Sequence, residues 1–460
     1  MSNFWDDDVL NATRVHDVNK GWLNGDVLAS LADAAVCRLP LRSLFALRFY
    51  ANVDSVSVYL GALRRGHVPL LLTPDLSDEL IAPLCDRFGI KFLFNGENGK
   101  WSKLATSMEK CSLHSDLGLL MSTSGSTGSF KLVRLTRENL SANAKSICNY
   151  LGLTQKDRAI TSLPLGYSYG LSVLNSHLMA GASVVLDDAA ITTQAFWTKV
   201  REEGVTGLAG VPTTWRMLRR MRFERMNLPT LRHMTQAGGR LDPEEVTWFG
   251  EVGVHSGRET FIMYGQTEAT ARIAYLPQDL ISKKPGSIGS VIPDGEMWLA
   301  DDKGNIIETA GIEGQLMYSG PNVMLGYAES AEDLLKGREV TVLATGDLAY
   351  RDSDGYYWIT GRLKRFVKLF GNRFNLDDVE QYFRARGYEA LAVGRDDALM
   401  VGVVSTQNIA DELRKQLSEY YQIHSSVIQI YIVSELPLNR VGKPLYEKLQ
   451  KILDELGDAP

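Results

Sequence analysis

Cysteine is scarce in this 460-residue chain: there are four, at positions 37, 85, 111 and 148. They show neither CxxC spacing nor paired histidines nearby, which argues against a disulfide framework or a zinc site and leaves buried free thiols as the default. Positive charge is not in excess either. The 49 lysines and arginines against 55 aspartates and glutamates leave a net charge of −6, which argues against a nucleic-acid surface. No apolar run approaches the roughly 18 residues of a membrane span. The acidic start MSNFWDDDVL is no signal peptide, so a cytoplasmic protein is expected. Repeats and low-complexity segments are absent. What remains is a chain 45% hydrophobic and 23% charged, long enough for roughly two to four domains with large cores.

Helical and strand-like runs alternate with glycine punctuation along the N-terminal part, as in SVSVYLGALRRG followed by HVPLLLTP, then LIAPLCDRFG followed by IKFLF. That βα rhythm predicts a parallel sheet with helices on its faces. A second βα tract runs from DRAITSLP through GASVVLD to VTGLAGVP, and a more β-rich portion follows between about 285 and 360. The cluster WRMLRRMRFER is basic and partly amphipathic; a solvated helix face explains it about as well as an acidic ligand such as a CoA phosphate or a carrier protein.

The densest chemical signal is STSGSTGSFK, Ser122 to Lys131. Gly125 and Gly128 permit positive φ and close backbone approach, so successive N–H groups can converge on phosphate oxygens. Thr123, Ser124, Ser126 and Thr127 add donors and Lys131 adds charge. The plain alternative is a flexible Gly/Ser turn between the runs LGLLM and LVRL. The common P-loop is excluded, because Gly128 is followed by Ser129 rather than by Lys.

Three further stretches join it. MYGQTEAT, Met263 to Thr270, follows the apolar FIM run and alone could be an ordinary surface turn. The segment from Thr345 to Glu380, TGDLAYRDSDGYYWITGRLKRFVKLFGNRFNLDDVE, holds Asp354-Gly355, which reads as a hairpin turn between two short strands. Its alternative is a β-meander with a solvated Asp347 and Arg362. LPLNRVGKPLY places Lys443 between Gly442 and Pro444, on a constrained loop before a C-terminal helix, where a lysine could also simply face solvent.

Together these stretches resemble the adenylate-forming superfamily of acyl-CoA synthetases, luciferases and peptide-synthetase adenylation domains, over most of the chain from about residue 118 onward. Phe130 stands where that family usually has Pro, and Leu132 where it has Gly; the N-terminal region is also shorter than usual. The resemblance implies an α/β fold. Residues 1–361 would form a large N-terminal domain of parallel and mixed sheets with flanking helices and a β-rich portion, and residues 362–460 a small, mobile α+β domain hinged at Lys364. It implies that the loop from Thr123 to Gly128, with Lys131, holds the phosphates of ATP. Tyr264 would stack on adenine beside Gly265, Thr267 would touch the α-phosphate, and Glu268 would hold Mg²⁺. Asp347 would accept from the ribose hydroxyls, and Arg362 would contact sugar and phosphate.

Lys443 would pair with the substrate carboxylate and the α-phosphate during adenylation. Rotation about Lys364 would then withdraw it and bring the loop at Gly371 to the thiol tunnel. PLGYSYGLSV resembles the acyl-site gate, with Tyr167 where many CoA ligases have His. Ser168 falls where amino-acid-activating relatives carry Asp, so an α-amino acid is not expected. Gly210, Val211, Ala237, Gly238 and Gly239 are further pocket residues for adenine and the acyl group, unless they serve tight packing.

The implied reaction is ATP-dependent activation of a small carboxylic acid to acyl-AMP, then acyl transfer to a thiol, CoA ahead of the phosphopantetheine of an acyl carrier protein. No carrier domain is expected after Pro460. A stand-alone enzyme loading a separate carrier protein is the rival, and a non-catalytic nucleotide-binding regulator is the alternative of another class. Retention of Glu268, Asp347, Arg362 and Lys443 together argues against the regulator.

Overall fold

Runs such as VPLLL at Val68–Leu72, apolar at every position and buried at every position, can form only strands covered on both faces. They do so in a computed structural model that describes residues 2–106, 112–122, 131–363, 365–369, 372–395, 398–439 and 442–457. The chain divides into two compact units, Met1–Met297 with Tyr318–Leu343, and Trp298–Met317 with Ala344–Pro460.

The first unit holds two large sheets. One has seven strands in the order Gly326–Ala328, Leu132–Thr136, Leu117–Ser122, Val68–Leu72, Leu44–Arg48, Phe92–Asn95 and Lys100–Lys103. Its centre, from Leu117–Ser122 to Phe92–Asn95, is parallel, as the βα rhythm predicts. The other has nine strands: Ser290–Val291, Ala274–Leu276, Glu259–Tyr264, His233–Gln236, Gly207–Gly210, Arg158–Ile160, Ser183–Leu186, Arg14–Asp17 and Gly21–Asn24. The N-terminal strand Arg14–Asp17 enters this second sheet, parallel to Ser183–Leu186. Helices form where caps and periodicity meet. Asn52 accepts from the Ser55 amide at 2.9 Å to start Val53–Arg65, and Thr136 and Asn139 cap Arg137–Leu151 reciprocally.

The second unit carries the β-rich portion, a four-stranded sheet of Glu296–Ala300, Gly314–Ser319, Val342–Arg351 and Tyr357–Arg362. The last two strands form the hairpin expected at Asp354-Gly355, with Tyr350 stacked on its cross-strand partner Trp358 at 5.4 Å. Beyond it lies a separate hydrophobic core contributed wholly by residues between Val367 and Ile428. Helix Leu376–Arg384 presents Leu376, Val379 and Phe383 to that core, a helical stripe. Helix Tyr446–Gly457 buries Leu449 and Leu453 against Leu391, Val393 and Met400. A core of its own is what an independently moving segment needs. The 361/362 boundary and the hinge at Lys364, which lies outside the described residues, remain our proposal.

The thiols depart from expectation in one respect. Cys37, Cys85 and Cys148 are free, and Cys85 is buried, but Cys37 is exposed, in the turn that follows helix Gly25–Ala35. Cys111 lies outside the described residues. Among the described residues no helix is long and apolar enough to cross a membrane.

His177 and His233 lie buried, their rings 6.2 Å apart. Burial pulls them down to about 4 and about 3, with Asp157 and Arg232 as the nearby charges. Since their folded pKa values fall below the unfolded value of about 6.5, their contribution to stability is present above that pH and is lost as the unfolded chain takes up protons below it. We expect unfolding free energy to decline between about pH 6.5 and 4 by up to ~1.4 kcal/mol per pH unit per histidine. Denaturant midpoints across this window test it, and the double variant His177→Gln/His233→Gln flattens the slope if these imidazoles are its source.

Candidate active site

Strand Glu259–Tyr264 ends where its buried run TFIM gives out, and the chain then doubles back. Gly265 is required here: a Cβ would sit 1.8 Å from the Ala271 carbonyl oxygen. Thr267–Ala269 forms a single 3₁₀ turn, followed by Thr270 at φ 56° and Ala271 at φ 112°. Such conformations are held only by surroundings that over-determine them. Asn322 supplies these, donating from Nδ2 to the carbonyls of Ala269 and Arg272, both at 2.7 Å, while Tyr318 donates to its Oδ1 at 2.7 Å. The Asn322 carbonyl accepts from Thr270 Oγ1 at 2.7 Å, and the Met324 amide donates to the Glu268 carbonyl at 2.9 Å.

The segment that clamps this turn also brings a side chain to it. Tyr327, on the edge strand Gly326–Ala328, donates its hydroxyl to Glu268 Oε1 at 2.9 Å. Burial and the Glu268 carboxylate push that phenol far above its ordinary pKa, so it stays protonated and donating. Lys131 Nζ lies 3.7 Å from the centre of the Tyr327 ring, a cation–π contact. Arg134, buried in strand Leu132–Thr136, fixes the same strand by donating from Nε to the Tyr327 carbonyl at 3.0 Å and by pairing closely with Glu339. Lys131, Tyr327 and Glu268 thus form one relay at the base of the segment 123–130, which joins the antiparallel strands Leu117–Ser122 and Leu132–Thr136. Thr123, Ser124, Gly125, Ser126, Thr127 and Gly128 themselves lie outside the described residues, as does Gly371.

Beside the turn, Thr267 Oγ1 donates to Ser168 Oγ at 3.3 Å, both residues buried. Ser168 opens helix Ser168–Met179 and Tyr167 precedes it. Burial pushes the Tyr167 phenol up to about 12. A Cβ on Gly238, at φ 86°, would meet the Tyr167 hydroxyl at 2.7 Å and Val211 Cγ1 at 3.2 Å. Tyr167, Val211 and Gly238 therefore share one wall, with Ala237 buried behind it. Gly239 packs on Pro212, and the Cβ position of Gly210 is filled by Trp215 and Thr214.

The second unit holds the other set. Asp347 and Arg362 face each other in register across the hairpin, Arg362 Nε donating to Asp347 Oδ1 at 3.0 Å. The Asp347 side chain is 9% exposed and that of Arg362 65%, so the carboxylate is held while the guanidinium reaches into solvent. Thr345 Oγ1 accepts from the Asp347 amide at 3.1 Å and donates to the Leu316 carbonyl at 2.8 Å. Lys443 sits on a pinned loop: its amide donates to Asn439 Oδ1 and its carbonyl accepts from the Asn439 amide, each at 2.8 Å.

Comparison with known proteins follows the same residues. The family model described as AMP-binding enzyme matches residues 45–328, more than half of the chain. The chain belongs to the AMP-binding enzyme family. Within this family's curated members it is 32% identical to an oxalate–CoA ligase of Arabidopsis thaliana over 58% of this chain and 52% of that one. It is 26% identical to 4-hydroxybutyrate–CoA ligase 1 of Metallosphaera sedula over 79% and 68%. The chain spans about half the length of the first of these relatives. Among solved structures, O-succinylbenzoate Coenzyme A synthetase from Bacillus subtilis, in complex with ATP and magnesium ion, superposes with a TM-score of 0.80 at 22% identity, covering 98% of this chain and 99% of that one. ATP-bound MatB from Rhodopseudomonas palustris gives 0.79 at 20% identity, covering 99% of each. The adenylate-forming fold expected from the motifs is the fold observed.

Tyr327, Asn322, Arg134 and Arg272 went unnoticed in the sequence. The only trace they leave there is an arginine inside each of two apolar runs, LVRL and ARIAY.

Proposed function

We propose that this chain is a cytoplasmic acid–thiol ligase that activates a small carboxylic acid with ATP and transfers the acyl group to a thiol, CoA ahead of carrier-protein phosphopantetheine. The observation that carries it is the relay of Lys131, Tyr327 and Glu268, which sets one cation and one oriented carboxylate at the root of the glycine- and hydroxyl-rich segment. A cation there suits phosphate oxygens, and the carboxylate suits a hard metal ion.

Among the described residues no cluster of three or more His, Cys, Asp or Glu is gathered that could hold a metal by itself. A single carboxylate donor fits Mg²⁺, which takes most of its ligands from phosphates and water. Glu268 would hold the ion, which when bound neutralises phosphate charge. Tyr327 keeps that carboxylate aimed, Lys131 supports the phosphates, and Thr267 and Ser168 line the path of the acid. A carboxylate oxygen attacks the α-phosphorus: a P–O bond forms, the α–β anhydride bond breaks and pyrophosphate leaves. Then thiol sulfur attacks the acyl carbon, the C–S bond forms, the bond to AMP breaks, and the thiol proton passes to solvent. Positioning and charge neutralisation are the protein's part, with no covalent enzyme intermediate.

ATP/pyrophosphate exchange over small, branched, aromatic, hydroxy and amino acids tests this. Acid-dependent exchange is expected, with ordinary α-amino acids inactive because Ser168 offers no carboxylate to an ammonium. Strong exchange with α-amino acids sinks the Ser168 assignment. Mg·ATP binding without exchange for any acid points to a nucleotide-binding regulator instead.

A further inference from the structure

Arg365, the first residue after the proposed hinge, buries a full charge: its side chain is 12% exposed. Its backbone is held from both sides, the amide donating to the Arg362 carbonyl and the carbonyl accepting from the Leu376 amide, each at 3.1 Å. Its Nε lies 2.9 Å from Asp377 Oδ1, and Nη2 donates to Glu380 Oε1 at 2.8 Å and to the Ala392 carbonyl at 3.2 Å. Glu380 sits on the buried face of helix Leu376–Arg384, where the same oxygen accepts from the Ala392 amide at 2.9 Å. The Arg365 guanidinium carbon lies 3.5 Å from the centre of the Tyr446 ring, and the Tyr446 hydroxyl donates to Glu380 Oε2 at 3.4 Å. Tyr446 opens helix Tyr446–Gly457, three residues after Lys443. The bonds from Asn439 to Lys443 and from the Leu445 amide to the Pro437 carbonyl run within the Lys443 loop itself, so they fix its shape rather than its place. Leu436 and Tyr446 pack beside Leu449 and Leu453 and hold the loop down, but apolar contact is non-directional. The ring, guanidinium and carboxylate are directional.

Resting on the adenylation reading above, we infer that Arg365, Glu380 and Tyr446 form a strut that ties the hinge to the Lys443 loop, so that the angle taken at the hinge sets where Lys443 stands. Arg365 and Tyr446 are positioning residues; the Lys443 ammonium supplies the charge. A buried ion pair adds little net stability over apolar packing of the same volume, and its use is to hold one arrangement against its neighbours. Here that arrangement joins the residue beside the hinge to the first turn of the helix behind Lys443. The demand on it is severe, since a misplacement of about 1 Å in a group that meets the reacting atoms can cost roughly 100-fold in rate.

The test measures pyrophosphate exchange and single-turnover thiolation of a synthetic acyl-adenylate in Tyr446→Leu and Tyr446→Phe, each alone and combined with Lys443→Ala. Tyr446→Leu is expected to lower kcat for exchange by about 10- to 100-fold, with KM for ATP little changed and thiolation largely spared. Tyr446→Phe keeps the ring against Arg365 and is expected to lose much less. In the Lys443→Ala background Tyr446→Leu is expected to cost almost nothing further, because a strut acts only through the ammonium it places. A thermal midpoint near that of wild type shows that the variant is folded. If Tyr446→Leu unfolds, Arg365→Lys makes the cut from the hinge side, keeping a charge against Glu380 while giving up the flat face on the ring. Losses that multiply in the double variant, or equal loss of exchange and thiolation, make the cluster structural only and overturn the inference. Exchange at the wild-type rate in Tyr446→Leu overturns it as well. Full exchange in Lys443→Ala overturns the reading of Lys443 and this inference with it, whereas absence of exchange with every acid overturns the adenylation reading itself.

Discussion

Lys443→Ala is expected to cut adenylate formation by about 10³-fold, the upper end for removal of one preorganised charge from a developing anion, while largely sparing thiolation of a supplied acyl-adenylate. Two bonds that pin the loop survive the substitution. Its two bonds to Asn439 are made by the Lys443 backbone, and the bridge between Leu438 and Pro444 closes around them. The substitution removes the side-chain ammonium. In the proposed first half-reaction that ammonium offsets the meeting of two negative groups, the attacking carboxylate and the α-phosphate. In the second, sulfur attacks the acyl carbon, which bears no formal charge, so the meeting of carboxylate and phosphate does not recur. Pyrophosphate exchange measures the first step, and single-turnover thiolation of synthetic acyl-adenylate measures the second. Equal loss of both steps contradicts a role confined to adenylation, and Lys443→Arg separates charge from shape.

Glu268→Gln is expected to lower kcat/KM for exchange by about 10²- to 10³-fold, because an amide is a weak ligand for a hard divalent cation and carries no charge. Its signature is a raised Mg²⁺ requirement. The companion Tyr327→Phe keeps an aromatic face under Lys131 and removes only the hydroxyl that aims Glu268. A hydrogen bond to a charged group contributes about 1.5–3 kcal/mol, so a loss of roughly 10- to 100-fold is expected. If Glu268→Gln leaves both the rate and the Mg²⁺ titration unchanged, Glu268 is not the metal ligand. If Tyr327→Phe equals wild type while Glu268→Gln is severely impaired, the relay is structural and orientation of the carboxylate comes from the turn alone.

The short motifs were legible because their chemistry is contiguous. Tyr264, Gly265, Thr267 and Glu268 fall within one turn, and Asp347 and Arg362 flank one hairpin whose Asp-Gly corner announces itself. Residues that position them were not legible. Tyr327 is 59 residues from Glu268 in sequence and Asn322 is 53 from Ala269; neither belongs to a pattern with local periodicity. The strand Gly326–Ala328 is three residues long and is defined only by its pairing with Leu132–Thr136. Likewise Arg14–Asp17 carries no mark of the sheet it joins, since a parallel partner can come from anywhere in the chain.

From sequence alone follow the βα rhythm and the identity of the polar and charged groups gathered in the short motifs, because these depend on residue type and near-neighbour spacing. Tertiary structure alone decided which neutral or charged partner each of those groups meets. Glu268 is aimed by a tyrosine from a remote edge strand, Lys131 rests on that ring, and Arg272 lies buried with neutral partners. The physical reason is that burial and charge compensation depend on distance in space, and folding sets those distances between residues that share no local pattern.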